Sequence, residues 1–159
     1  MVCMWVMLSV GVTYAQQLSL PDLVAARDQD PEITDSVLRE RHFMMDPVSY
    51  DSTGTLLRYY NQVVKNEKGI TWIRSLTITE VRVKETLSRL VNYRIYDEEE
   101  YRNLLFWLLE HQFKHLDHFD FRGAKHVIYS NGELKVVVKE GKKMLPNKRT
   151  VMSYEVEIG

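Results

Sequence analysis

The sequence lacks features that several classes of protein require. Cysteine occurs once, at Cys3, so no disulfide can form within the chain. Lysine and arginine together number 21 against 22 aspartate and glutamate residues, a formal net charge of -1. Such a balance leaves no excess of positive charge for a phosphate backbone, and no nucleic-acid partner is predicted.

Motifs of the common catalytic sites are also missing. The sequence contains no P-loop, no GxGxxG, no GxSxG and no HExxH, so nucleotide-binding loops, nucleophile elbows and zincin helices have no counterpart. No cofactor is predicted. A Ser-His-Asp triad or a pair of glycosidase carboxylates stays open, because such groups meet in space and not along the chain.

The N-terminal segment is apolar or small from Val2 to Val12, and no charged side chain occurs within residues 1–15. Crossing a bilayer takes about 20 apolar residues, so this run is too short to span a membrane. It ends in Thr13-Tyr14-Ala15, which places small side chains at positions -3 and -1 relative to a cut after Ala15, as signal peptidase requires. We therefore predict a signal peptide at 1–15 and an exported protein, periplasmic or outer-membrane associated. A buried N-terminal strand or helix is the alternative.

Start signals of helices precede three segments. Ser19 with Pro21 predicts a helix over residues 20–27, and Asp30 with Pro31 predicts a second one ending at about residue 41. The acidic run 97–100 precedes apolar residues at helical spacing. Asp97 as N-cap and Glu100 as its capping-box partner explain that run better than a calcium or substrate site.

In the remaining segments apolar side chains recur at every second position, which predicts an antiparallel sheet with one solvent-exposed face. Turns are predicted at Asp51–Gly54, at Asn66–Gly69 and at Asn131-Gly132, the last being the strongest two-residue hairpin signal. A basic turn is predicted from Gly141 to Asn147. The side chains predicted to face the core are Leu57, Tyr59 and Val63, then Ile70, Trp72, Leu76 and Ile78, then Leu87, Val91, Tyr93 and Ile95, and finally Val127, Tyr129, Leu134, Val136, Val138, Met152, Tyr154, Val156 and Ile158.

Two segments match in character at an offset of 70 positions. Leu38–Phe43 and Leu108–Phe113 each end a predicted helix on a phenylalanine, and strands follow both. One such unit alone would bury too little apolar surface to be stable. The predicted fold is therefore α+β, with two tandem helix-then-antiparallel-meander repeats, 16–96 and 97–159, forming one helix-on-sheet domain.

This order of elements resembles a family of known proteins. The leader ending at Ala15, the helix ends at Phe43 and Phe113, and the last strand 154–158 are similar to small exported proteins of Bacteroidota. Their tandem layout is similar to that of the beta-lactamase inhibitor protein and of small accessory proteins of outer-membrane assembly. A glycine usually stands in those families where His42 and Gln112 stand here. The resemblance implies a non-catalytic binding module whose partner is another envelope or secreted protein.

Three surfaces are candidates for function. One side of the predicted sheet carries tyrosine and arginine, which are common at binding hot spots, and we predict that a partner binds there. The alternative is an ordinary solvent-exposed sheet face. A histidine cluster would suit zinc or nickel in a small metal-dependent hydrolase if one helix continued through it, but the repeat predicts that this helix stops near Gln112. The residues are Arg58, Tyr60, Gln62, Asn92 and Arg94 for the face, and His111, His115 and His118 for the metal.

The third candidate surface is the basic C-terminal hairpin. Lys142, Lys143, Lys148 and Arg149 lie close together in the sequence. They predict either a solvated turn whose lysines discourage edge-to-edge aggregation or a peripheral contact with acidic lipid headgroups or an acidic partner.

The leader yields a direct test. Protein recovered from its native envelope is expected to begin at Gln16, because the small residues at Thr13 and Ala15 direct the cut. Mass spectrometry of the N-terminal peptide measures this. An intact Met1 on cytoplasmic material would contradict the prediction.

Overall fold

A computed structural model describes residues 17–50, 55–65, 71–83, 86–145 and 148–159. The predicted signal peptide, the turns at Asp51–Gly54 and Asn66–Gly69, Ile70, and the Pro146-Asn147 part of the basic turn lie outside these ranges, and the side chain of Trp72 is also not described.

Helices begin where the capping signals predict. They are α1 (Leu20–Asp28), α2 (Pro31–Glu40) and α3 (Glu98–Glu110). Ser19 and Asp22 form a capping box, in which the Ser19 amide donates to Asp22 Oδ2 at 2.7 Å. Asp97 accepts from the Glu100 amide at 3.0 Å, which confirms the predicted N-cap of α3. In the part of the chain that the structure describes, no helix has the length and apolar character to span a membrane.

The strands form one antiparallel sheet. They are β1 (Met44–Met45), β2 (Ser49–Tyr50), β3 (Leu56–Lys65), β4 (Thr71–Val83), β5 (Thr86–Ile95), β6 (Lys114–Phe121), β7 (Ala124–Ser130), β8 (Lys135–Met144) and β9 (Thr150–Ile158). Their order is β1-β3-β4-β5-β9-β8-β7-β6, and β2 also pairs with β3. The predicted α+β class, with helices and an antiparallel sheet, is confirmed.

The last strand of each half of the chain meets its counterpart at the centre of the sheet. β5 pairs antiparallel with β9, with Tyr93 opposite Val156, and every other strand pair joins elements of the same half. The hairpin predicted at Asn131-Gly132 joins β7 to β8, and the Asn131 side-chain carbonyl accepts from the amides of Glu133 and Leu134. Two meanders thus share one continuous sheet.

All three helices lie on one side of this sheet, and the core lies between the two layers. The alternation predicted for β5, β8 and β9 is correct where these strands pass beneath the helices, since inward side chains such as Val91, Val138 and Val156 are buried. Leu87 and Met152, which are also predicted to face the core, are instead 43% and 39% exposed. The largest buried side chains of the sheet include Tyr93, Leu76, Ile95, Ile158, Val91 and Val136, and those of the helices are Leu20, Leu23 and Leu108. Tyr101 of α3 stacks on Tyr154 of β9 with ring centroids 4.3 Å apart.

The two predicted helix ends have the same geometry. The Phe43 amide donates to the Leu38 carbonyl at 2.9 Å and the Phe113 amide to the Leu108 carbonyl at 3.0 Å, which is the long bond of a Schellman motif. His42 and Gln112 adopt left-handed conformations, with φ of 64° and 62°. Glycine favours this conformation, so a glycine would be unstrained at both positions.

Both phenylalanines are expected to contribute strongly to stability. Phe43 and Phe113 are 2% and 5% exposed, and truncating a buried phenylalanine costs about 3 to 5 kcal/mol. Phe43→Ala and Phe113→Ala should each lower the free energy of unfolding by that amount in urea titrations. His42→Ala and Gln112→Ala are the matched controls, because these neighbours are exposed, and each should cost less than about 1 kcal/mol. Equal tolerance of Phe43→Ala and His42→Ala would contradict this account.

Candidate functional site

No element among the described residues covers the side of the sheet opposite the helices, and we call this side the open face. Side chains reach it from alternate positions of seven strands, and cross-strand register aligns them in rows. One row runs Asn61, Ser75, Arg94, Glu155, Lys139, His126 and Phe119, and the next runs Tyr59, Thr77, Asn92, Glu157, Val137, Ile128 and Asp117.

The middle of the open face is charged, and its charges are paired. Arg94 Nη2 lies 2.6 Å from Glu155 Oε1, and Lys139 Nζ lies 2.6 Å from Glu157 Oε2. Asn92 adds a longer bond to Glu155 at 3.4 Å. These cross-strand pairs fix the side chains in place, so the centre is ordered and close to neutral.

Both ends of the open face carry exposed apolar side chains. Tyr59, Val63 and Ile73 are 37%, 56% and 50% exposed on β3 and β4. At the other end Phe119 of β6 is 45% exposed and stacks on His126, with ring centroids 4.8 Å apart. Apolar side chains so exposed on neighbouring strands are typical of contact surfaces.

The structure separates the five predicted partner-binding residues. Asn92 and Arg94 lie on the open face, as expected. Tyr60 and Gln62 are 1% and 2% exposed beneath the helices, and Arg58 shares their side of β3. The predicted faces of β3 are therefore reversed, and Tyr59 and Val63 are the residues that reach the open face.

The reversal has a physical cause, since the inward Tyr60 and Gln62 of β3 have hydrogen-bond partners on the helix side and Arg58 lies near two carboxylates. The Tyr60 hydroxyl donates to Asp35 of α2, and Gln62 Nε2 donates to the Arg41 carbonyl at 2.6 Å. Arg58 lies between Asp35 and Glu80, at 4.0 and 3.9 Å. Both faces of β3 carry similar numbers of apolar side chains, so alternation alone could not decide between them.

A buried ion pair beneath α3 was not predicted. Arg74 of β4 and Glu100 of α3 are 3% and 1% exposed, and Arg74 Nη2 lies 2.7 Å from Glu100 Oε2. Arg74 Nη1 also donates to Gln62 Oε1 at 3.0 Å. The sequence holds one signal of this contact, because Arg74 has the same alternation as the buried Leu76 and Ile78.

Glu100 does not complete the capping box that we predicted. Its side chain turns inward, where Glu100 Oε1 accepts from the Tyr93 hydroxyl at 2.6 Å. Burial raises the pKa of Glu100, while the charge of Arg74 and the bond from Tyr93 oppose that rise. The network of Arg74, Glu100 and Tyr93 thus lies between the helices and the sheet.

Three tyrosines donate hydroxyl bonds to carboxylates between the helices and the sheet. They are Tyr60 to Asp35, Tyr93 to Glu100, and Tyr101 to Glu140. Burial, and secondarily the adjacent carboxylate, raises the pKa of each of these tyrosines. The phenols therefore stay protonated well above the pH at which an exposed tyrosine titrates.

The histidines of the metal hypothesis do not converge. The helix ends at Glu110, as the repeat predicted, and His111 is its C-cap, stacked on Trp107 with centroids 3.7 Å apart. His115 and His118 lie on the exposed edge strand β6, on either side of a bulge, with ring centroids 5.6 Å apart. Within the described residues, no group of three or more His, Cys, Asp or Glu side chains is placed to hold a metal ion.

Comparison with family models, with curated proteins and with solved structures found no match to this chain. The geometry of the open face is therefore the feature of the molecule that bears most directly on function.

Stability is expected to fall above about pH 10. Unfolded tyrosines titrate near pH 10, whereas Tyr60, Tyr93 and Tyr101 have raised pKa values in the fold. At high pH the unfolded chain then binds fewer protons than the folded one, so the free energy of unfolding drops by about 1.4 kcal/mol per pH unit for each such tyrosine. Urea titrations at mildly and strongly alkaline pH measure the slope.

Tyr101→Phe should remove one tyrosine's share of that alkaline slope. Tyr59→Phe is the matched control, because Tyr59 lies on the open face and is 37% exposed. An unchanged slope in Tyr101→Phe would show that this hydroxyl does not link stability to pH.

Proposed function

We propose that this chain is an exported, non-catalytic protein-binding or envelope-assembly accessory module, and that another envelope or secreted protein docks on its open face. The observation that carries the proposal is the uncovered side of the sheet, where apolar ends flank a strip of paired charges. A partner can bury the central strip without leaving an unpaired charge there, because its two ion pairs lie within the strip. An unpaired buried charge would cost several kcal/mol.

The width of the open face supports this proposal. Seven strands at about 4.8 Å spacing extend over about 29 Å from β3 to β6. A standard interface buries about 800 Å² on each partner, which corresponds to a patch roughly 32 Å across. The open face can therefore accommodate one partner of ordinary size.

Residue types on the open face also favour a protein partner. Tyr59, Arg94 and Phe119 belong to the aromatic and arginine classes that are enriched in interfaces. Arg94 is held by Glu155, whose Oε1 lies 2.6 Å from Arg94 Nη2 and 2.7 Å from Arg94 Nε. A side chain already ordered in the free protein loses less conformational entropy on binding.

We interpret the two halves of the chain as tandem repeats. The equal helix ends at Phe43 and Phe113, and the meeting of β5 with β9 at the centre, support that interpretation. This layout is similar to that of the exported families named above. Export itself depends on the leader at 1–15, which would place the module in the periplasm or at the outer membrane.

Site-specific photo-crosslinking in native cells tests the open face. A photoreactive residue at Thr77 or Val137 lies at the centre of the face, whereas one at Ser36 or Glu99 lies on the helix layer. The open-face positions should trap one and the same partner, and the helix positions should not. Trapping of that partner from Ser36 or Glu99 alone would overturn the proposal.

A matched pair of substitutions measures affinity for the trapped partner. Ile73 on the open face and Ile33 on α2 are 50% and 54% exposed, so an aspartate at either position should be tolerated by the fold. Ile73→Asp should weaken binding at least about tenfold, since it places a charge in the contact surface. Ile33→Asp should leave binding unchanged, and equal losses in both variants would contradict the assignment.

A further inference from the structure

The hairpin between β8 and β9 projects beyond its two neighbouring strands, β5 and β7. β7 pairs with β8 only as far as Gly141, and β5 pairs with β9 only as far as Tyr154. Beyond those points, residues 142–144 pair only with residues 150–152. We call these residues, together with Leu145, Lys148 and Arg149 of the connecting turn, the arm.

Backbone hydrogen bonds link the described residues at the outer end of the arm. The Leu145 amide donates to the Arg149 carbonyl at 2.8 Å, and the Lys148 amide donates to the Leu145 carbonyl at 2.9 Å. The arm is therefore a defined two-stranded element that presents its side chains on both of its faces.

All charges on the arm are positive. Lys142, Lys143, Lys148 and Arg149 are exposed, and no acidic residue occurs between Glu140 and Glu155. None of the three lysines forms an ion pair with a described acidic side chain, in contrast to Lys139, which is held by Glu157. The three lysines thus face solvent on a chain whose formal net charge is -1.

Apolar side chains alternate with these cations. Met144 is 70% exposed near the tip, and Met152 is 39% exposed beside Lys142. At the same end of the sheet, Phe121 is 54% exposed, and the guanidinium of Arg122 lies 5.1 Å from its ring centre. Flexible methionines among cations suit a surface that combines negative headgroups with an apolar interior.

We propose that the arm docks the protein on an anionic lipid bilayer, with the cations at the headgroups and Met144 inserted beneath them. Long lysine and arginine side chains can keep their charges at the headgroups while their methylene stems cover apolar surface. A bilayer needs no shaped pocket, and a narrow projecting arm is able to reach it. The contact is separate from the open face, so either proposal can fail without the other.

Vesicle sedimentation with the full chain tests this docking. The protein should bind phosphatidylcholine vesicles that contain phosphatidylglycerol, should not bind pure phosphatidylcholine, and should be released as salt is raised. Lys142→Gln with Lys143→Gln should lower the partition coefficient on the order of 30-fold, from two charges at about 1 kcal/mol each. Met144→Ser should lower the binding that persists at higher salt.

A second double variant is the matched control. Lys114 and Lys135 are exposed on β6 and β8 and both pair with Ser130, at the end of the sheet opposite the arm. Lys114→Gln with Lys135→Gln removes the same net charge and should preserve binding. Both double variants carry the same N-terminal segment, so a difference in vesicle binding between them reflects the lysines of the arm.

Three results would overturn the proposal. They are absence of binding to the anionic vesicles at low salt, equal losses in the two double variants, and binding of soluble polyglutamate that displaces the vesicles. The last result would assign the arm to an acidic protein chain.

Discussion

The ion pair between Arg74 and Glu100 is the interaction on which the arrangement of this protein depends. Both side chains are almost fully buried, and a charge buried without its partner costs about 3 to 5 kcal/mol. The fold therefore has to bring α3 onto β4 at this one register. Gln62 and Tyr93 then complete the network from the strands on either side. Once α3 is fixed there, the helices cover one side of the sheet and the other side stays open.

Local signals predicted most of the fold. The caps at Ser19 and Asp97, the turn at Asn131-Gly132 and the alternation of β9 depend on neighbouring residues, and each was placed correctly. The predicted faces of β3 are wrong because its inward Tyr60 and Gln62 form hydrogen bonds with residues that lie elsewhere in the sequence. Asp35 and Arg74 determine which way Tyr60 and Gln62 face, and a single strand's pattern does not contain that information.

The same difference explains what was predicted of the candidate site. Asn92 and Arg94 were assigned to the open face because Val91, Tyr93 and Ile95 make the inner face of β5 unambiguous. Tyr59 and Val63 are apolar, so the sequence pattern predicts that they are buried, whereas the structure places them exposed on the open face. Exposed apolar residues of a sheet can be told apart from core residues only when it is known which side of the sheet the helices cover.

The central pairing of β5 with β9 has a consequence for the order of folding. Every other strand pair joins segments close in the sequence, so its loop-closure entropy is small. Among the described strand pairs, only the seam at Val91–Ile95 and Tyr154–Ile158 joins distant parts of the chain. We expect the two meanders to form early and the seam to close late, because the loop that the seam closes is the longest in the sheet.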